Sequence, residues 1–215
     1  MGDMDNYLSP EAIFDKLATL YQDRYMDVEL YNDTYDAFCG LIEAQGARVL
    51  EIGCGPGNIT RYLVAKRPDL KIEATDIAPN MIALSRANNP TVTHDVMDIR
   101  NIGELAGPYD AVMCGFCLPY LSREEGVKMV TDCAGLLSAG GILYISTMEG
   151  EYSTSGYQTA SNGVDRTYVH YHTGGDIAGW LEENGFDVVE VSRKQSPKPD
   201  GTFQTDVIVI SRKAS

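Results

Sequence analysis

Positive charge is scarce in this chain: 17 lysines and arginines stand against 31 aspartates and glutamates over 215 residues, a formal net charge of −14. Nucleic-acid backbones and anionic membranes both need cationic surface to replace their counterions, so both are disfavoured as partners and small molecules are favoured. Long apolar runs are missing as well. There is no basic and apolar leader and no uncharged stretch long enough to span a bilayer, so a cytoplasmic protein is expected, neither exported nor anchored. The cysteines number five, an odd count with no disulfide framework, which implies free thiols. Cys114 and Cys117 form a C-x-x-C, but no second pair and no nearby histidine completes a metal site, and none is expected. Internal repeats are absent. An apolar fraction of 44% is ordinary for a globular chain, and the length suffices for one domain whose core needs neither disulfide nor metal.

What is present is organised around Arg48 to Arg61, RVLEIGCGPGNITR. Val49, Leu50 and Ile52 read as a strand buried on both faces. Gly53, Gly55 and Gly57 then allow a sharp turn and a close approach to a ligand, and helical spacing resumes from Asn58 to Lys66. Such a strand, loop and helix present free amides to a ligand at the helix start. A dinucleotide fingerprint wants its third glycine three residues after the second. Here the spacing is G-x-G-x-G, with Asn58 beyond it, which makes a poor pyrophosphate cradle and weakens the alternative of a nicotinamide-dependent oxidoreductase. Glu51 repels phosphate and suits a cationic or amine-bearing ligand. The next strand, Lys71 to Asp76, ends in a carboxylate placed to accept hydrogen bonds from a ribose diol.

The pattern E-x-G-x-G-x-G, with an acid ending the next strand, resembles the class I S-adenosylmethionine-dependent methyltransferases of small-molecule type. The L-x-x-G-G-x-L turn from Leu137 to Leu143 is similar to theirs too, and the resemblance covers most of the chain. It implies an α/β fold: a doubly wound, mostly parallel seven-stranded sheet with helices on both faces, a C-terminal antiparallel hairpin and an N-terminal helical lid. Within a single domain over 1–215, the lid would be 7–40, the cofactor-binding core 41–148, a substrate-side insertion 149–172, and the C-terminal helix and hairpin 173–215. It further implies in-line transfer of a methyl group from S-adenosylmethionine to a small molecule, leaving S-adenosylhomocysteine. The implied cofactor residues are Glu51, Gly53, Gly55, Gly57 and Asp76; Ile77 and Met81 against adenine; and Asp95, in preference to Asp98, and the Val96 amide at its polar edge. Cys114, Gly115 and Phe116 would line the cleft near the methyl. A non-catalytic module that only binds the cofactor stays open, because binding residues do not establish chemistry.

Ser9-Pro10-Glu11 starts a helix with Ile13, Leu17 and Leu20 on one face. The stretch from Tyr21 to Phe38 is rich in tyrosine, and at least one of Tyr21 and Tyr25 is expected to face the site. Family members that methylate amino groups of DNA bases carry Asn or Asp, two prolines and an aromatic after the fourth strand. This chain has Cys117-Leu118-Pro119-Tyr120 there, a second sign against nucleic acid. His94 reads as an exposed or packed residue with no partner. Strands are expected from Thr91 to an end at Asp95, with Asp98 three residues on, over Tyr109 to Phe116 and over Ile142 to Met148, and a helix from Arg123 to Leu137. Glu149 to Asp165 has low hydrophobicity and no helical period, as a lid or mobile loop would. Tyr168, His170 and His172 alternate, which places them on one strand face beside it. That makes Tyr168 a substrate-side candidate and His170 and His172 candidate bases for an acceptor that must lose a proton. A helix from Thr173 to Asn184 and strands over Phe186 to Ser192 and Thr202 to Arg212 close the chain. The sequence leaves the acceptor's identity and the oligomeric state open.

Overall fold

The computed structural model describes residues 6–198 and 201–214. In chain order the elements are α1 (Pro10–Tyr25), α2 (Asn32–Leu41), β1 (Arg48–Ile52), α3 (Asn58–Lys66), β2 (Lys71–Asp76), α4 (Pro79–Asn88) and β3 (Thr93–Val96). There follow β4 (Tyr109–Gly115), α5 (Arg123–Leu136), β5 (Leu137–Met148), β6 (Gly156–Thr159), β7 (Arg166–Val169), α6 (Gly174–Glu183), β8 (Phe186–Pro197) and β9 (Phe203–Lys213).

Seven strands form one sheet in the order β3-β2-β1-β4-β5-β9-β8, with β1 to β5 parallel and β9 antiparallel to both its neighbours. Helices cover both faces. Leu50, Ile52, Val112, Leu143 and Ile145 meet α5 and α6 on one side, while Val49, Ala111, Met113 and Tyr144 meet α2 and α3 on the other. Burial on two faces is why these strands read as unbroken apolar runs. The order reverses between β1 and β4, and the crevice at their carboxyl ends is where such a sheet receives ligands. Among the described residues, no helix is long and apolar enough to cross a membrane.

Local chemistry sets the helix starts. The Ser9 side chain accepts from the Ala12 amide at 3.3 Å, and Ser122 and Thr173 each open a helix with a reciprocal capping box, to Glu125 and Asp176. The expected buried face of α1 is narrower than its apolar spacing. Ile13 and Ala18 are buried, with Phe14 and Tyr21 packed towards Ala78 and Met81, but Leu20 is 42% exposed. This helix docks on α4 rather than across the sheet, so only one stripe is covered.

Three further expectations change. β5 starts at Leu137, because the Gly140-Gly141 turn is absorbed as an irregularity, with Gly140 at φ 74 and a register shift against β4. The polar stretch 149–165 is not structureless: β6 pairs antiparallel with β7 as a separate two-stranded sheet. Its strands escape a periodicity test because Tyr157 and Tyr168 lie exposed on it instead of in a core. The terminal hairpin is also longer than expected, β8 running on to Pro197. Its far half is solvated on alternate residues and carries no apolar signal.

Candidate active site

Beyond the carboxyl ends of β1, β2 and β4 lies a cavity of about 770 Å³, within the range that holds small-molecule ligands. The glycine loop forms its floor. Gly53 has φ 64, and a Cβ there would overlap the Cys117 sulfur, whose thiol donates to the Ile52 carbonyl at 3.0 Å. Gly57, at φ 85, is needed for a different contact: a Cβ would overlap Asn89 and Ser85 of the α4 region, so it seats the loop on that helix and does not line the cavity. Gly55 lines it and donates its amide to Asp76 Oδ2 at 2.9 Å, while Asp76 Oδ1 accepts from the Ala78 amide at 2.9 Å. Burial raises the Asp76 pKa, and these amides oppose the rise. Each oxygen keeps a lone pair for a further donor. Asp76 is 8% exposed and stands on the wall beside Ile77 and Met81, as expected.

Glu51 is placed differently. It is 1% exposed and off the cavity wall, on the α2 and α3 side of β1, and neither carboxylate oxygen has a hydrogen-bond partner among the described residues. Burial pushes its pKa up to about 8; the Thr60 hydroxyl and amide oppose that without meeting hydrogen-bond geometry, and the Asp76 charge adds to it. A buried, unpartnered carboxylate one layer behind the glycine loop suits a ligand whose positive charge comes close.

The adenine-edge expectation needs correcting. Asp95 and Val96 are exposed, Val96 by 53%, and neither lines the cavity. β3 is the edge strand and ends at Val96, after which the chain turns inward and Met97, Asp98, Ile99 and Arg100 reach the wall. Asp98 caps the 3-10 turn Ile99–Glu104, accepting from the Arg100 amide at 2.9 Å, and pairs with the Arg100 side chain at 3.1 Å. Cys114 is likewise fully buried behind the wall, which is made by Gly115, Phe116 and Cys117. Phe116 has φ 58, a left-handed conformation unfavourable for a bulky side chain. Its amide is held by the Ser146 carbonyl at 3.0 Å and the Ser146 hydroxyl at 3.2 Å. Strain kept by such anchors is typical of ligand sites.

Tyr21 and Tyr25 both line the cavity, their rings 4.5 Å apart, with Phe14 and Tyr120 completing an aromatic wall. Tyr21 stands directly over Gly55. Burial raises the pKa of Tyr21 and Tyr120 far enough that both are neutral phenols.

His170, His172 and Tyr168 are not brought to the cavity. β7 ends at Val169, yet the three rings do line up as the alternation implies, Tyr168 to His170 at 4.8 Å and His170 to His172 at 6.5 Å, on a face that does not line the cavity. His172 is fully buried, with Nε2 3.1 Å from the Leu121 carbonyl and its ring edge-on to Trp180 at 5.1 Å. His170 stacks on Tyr152 at 5.8 Å, and Tyr168 packs on Tyr157 at 5.2 Å. Burial lowers the pKa of both histidines. They are packing residues between the 3-10 turn at Tyr152 and α6. His94 has partners after all, Ser85 Oγ at 2.8 Å and the Val92 carbonyl at 2.9 Å.

Tyr31 and Tyr35 of the tyrosine-rich stretch also line the cavity, and three further lining residues carried no recognised signal: Met148, Gln204 and Asp206. The Tyr31 hydroxyl donates to Asp206 Oδ2 at 2.7 Å across 175 residues of sequence. A lone acid opening the apolar run DVIVI of β9 was the available clue. All five cysteines are unpaired.

Comparison with known proteins gives a match to a family model described as a methyltransferase domain over residues 23–191. A ubiquinone biosynthesis O-methyltransferase from Xanthomonas axonopodis pv. citri is 26% identical over 166 residues, covering 70% of this chain and 67% of that one. The tRNA N(3)-methylcytidine methyltransferase trm141 of Schizosaccharomyces pombe is 25% identical over 178 residues, covering 74% and 72%. Among solved structures, magnesium protoporphyrin IX methyltransferase from Synechocystis with bound S-adenosylhomocysteine superposes with a TM-score of 0.70 at 17% identity, covering 95% of this chain and 98% of that one.

Proposed function

The chain belongs to the methyltransferase-domain family, and on that premise we propose that it transfers a methyl group from S-adenosylmethionine to a small-molecule acceptor. The observation that carries this is Asp76: a buried acid at the end of β2, oriented by the Gly55 and Ala78 amides with lone pairs to spare, on the wall of a cavity floored by the glycine loop. That arrangement suits a ribose diol. Ile77, Met81 and Met97 would flank the adenine, Asp98 would take its amino group, and the Gly53 to Gly55 backbone with Glu51 behind it would take the methionine end. When bound, the cofactor supplies a methyl group whose departure leaves a neutral thioether.

The chain's own task is mainly alignment, and fixing a nucleophile about 3 Å from its target can supply roughly 7–11 kcal/mol. Residues 7–40 act as the cover: α1 and the segment after it place Phe14, Tyr21, Tyr25 and Tyr31 over the cavity, excluding water and offering ring faces to a positive sulfur. A small acceptor, and not an RNA such as the tRNA relative's name indicates, is favoured by the net charge of −14 and by the aromatic enclosure. The unpaired thiols suit a reducing compartment such as the cytoplasm.

Incubation with methyl-labelled S-adenosylmethionine and a panel of phenols, alcohols, amines and a tRNA pool tests this. Label is expected in a small molecule with release of S-adenosylhomocysteine. Transfer confined to tRNA, or none with any acceptor despite cofactor binding, would overturn it.

A further inference from the structure

The cavity wall holds a second carboxylate besides those assigned to the cofactor above. Asp206 is 1% exposed and lines the cavity near the start of β9, in register with Met148 of β5 and Lys194 of β8. Its Oδ2 accepts from the Tyr31 hydroxyl at 2.7 Å. Its Oδ1 is buried and has no hydrogen-bond partner among the described residues. The nearby Ser196 hydroxyl donates to the Gln204 carbonyl at 3.3 Å instead. Lys194 is engaged by Asp33. Tyr31 rests against the ring of Phe116 at 5.1 Å, which sets the pair beside the carboxyl end of β4, the strand that borders the switch point.

A buried carboxylate oxygen without a donor is unfavourable, and a ligand that brings an N–H or O–H removes that deficit. We propose that Asp206 Oδ1 docks the nucleophile of the methyl acceptor, which is therefore a hydroxyl or amine carried on an apolar or aromatic body, and that Tyr31 positions the carboxylate. This rests on the methyl-transfer function proposed above for the same cavity. The body is set by the rings beside the pair, Phe116 and Tyr35, whose centroids lie 5.1 and 6.5 Å from that of Tyr31. The nucleophile is set by the carboxylate: a carboxylate acceptor has no hydrogen to give and would be repelled, whereas an alcohol, phenol or amine satisfies Oδ1. Burial also raises the Asp206 pKa, opposed by the Tyr31 hydrogen bond, by the Ser196 hydroxyl, which does not meet hydrogen-bond geometry to Oδ1, and by the Lys198 charge; the net rise makes it a better proton acceptor than a solvated aspartate. In the transfer itself the acceptor's oxygen or nitrogen forms the bond to the methyl carbon. The carbon–sulfur bond breaks with its electron pair left on sulfur, and the acceptor's proton passes to Oδ1.

The test compares the wild type with Asp206→Asn and Tyr31→Phe, each saturated with S-adenosylhomocysteine, for binding of phenols, aliphatic amines and benzoates by ligand-observed NMR. Calorimetry with S-adenosylmethionine is run alongside. Phenols or amines are expected to bind the wild type, benzoates not. Affinity should fall at least tenfold in Asp206→Asn and by less in Tyr31→Phe, with cofactor affinity within about twofold in both. Binding of benzoates alone, of none of the probes, or with equal affinity to Asp206→Asn would overturn the assignment, as would loss of cofactor binding in that variant alone. A wild type that binds no S-adenosylmethionine would instead overturn the function proposed above.

Discussion

The two ends of the cavity are built by opposite means. At the cofactor end, the glycine loop, Asp76, Ile77 and Met81 come from one continuous stretch, and the orienting contacts are backbone amides. The opposite end draws Tyr31, Phe116, Met148 and Asp206 from distant segments, and its contacts join side chain to side chain. Each end keeps a buried carboxylate with oxygen to spare: Glu51 behind the first, Asp206 on the wall of the second. A backbone cradle survives changes in most side chains around it, whereas a pair such as Tyr31 and Asp206 is altered by a single substitution. Recognition of the common ligand therefore lies in the chain path, and choice of acceptor in side chains.

The comparison breaks first at Glu51. Its carboxyl has an ordinary value of 4.5 and is pushed to about 8 in the fold, so the native state holds the extra proton between those values. Stability of the free protein should therefore decline as pH rises through that window, by about 5 kcal/mol in all at roughly 1.4 kcal/mol per unit. In Glu51→Gln the decline should flatten; parallel urea-unfolding curves against pH for the two proteins would show that Glu51 is not the buried orphan described. Next is Asp76→Ala, which removes the oriented acceptor. Cofactor affinity by calorimetry should drop about 100-fold, from loss of two hydrogen bonds of charged type. His172→Ala sharpens the boundary of the site: removal of a buried ring beside Trp180 should cost about 2–3 kcal/mol in denaturant unfolding, with turnover within about twofold. A large loss of turnover at unchanged stability would restore it as a candidate base. The smallest effect separates two acids. Asp98→Ala should weaken cofactor binding about tenfold and Asp95→Ala less than about twofold; the reverse order would return the adenine edge to β3.

Legibility in the sequence follows the same division. The sheet, its helices and the hairpin were expected because strands buried on both faces and capped helices leave local patterns, as in RVLEI and Ser122 with Glu125. The placement of Gly53, Gly55 and Asp76 on the cavity wall was legible because it is set within a short span. Asp95 was preferred to Asp98 because a strand end can be read only within a few residues, and β3 stops at Val96. His170 and His172 looked catalytic because alternation places them beside Tyr168 on one face, as it does, but cannot say whether that face meets the cavity. Asp206 escaped notice because its partner, Tyr31, is 175 residues away and no local spacing encodes that pairing.

Calorimetric titration of the wild type with S-adenosylmethionine and, separately, with NAD tests the account most directly. Saturable one-to-one binding of S-adenosylmethionine with no heat from NAD is predicted, since the G-x-G-x-G spacing disfavours a pyrophosphate. Saturable binding of NAD, or no binding of S-adenosylmethionine, would contradict it.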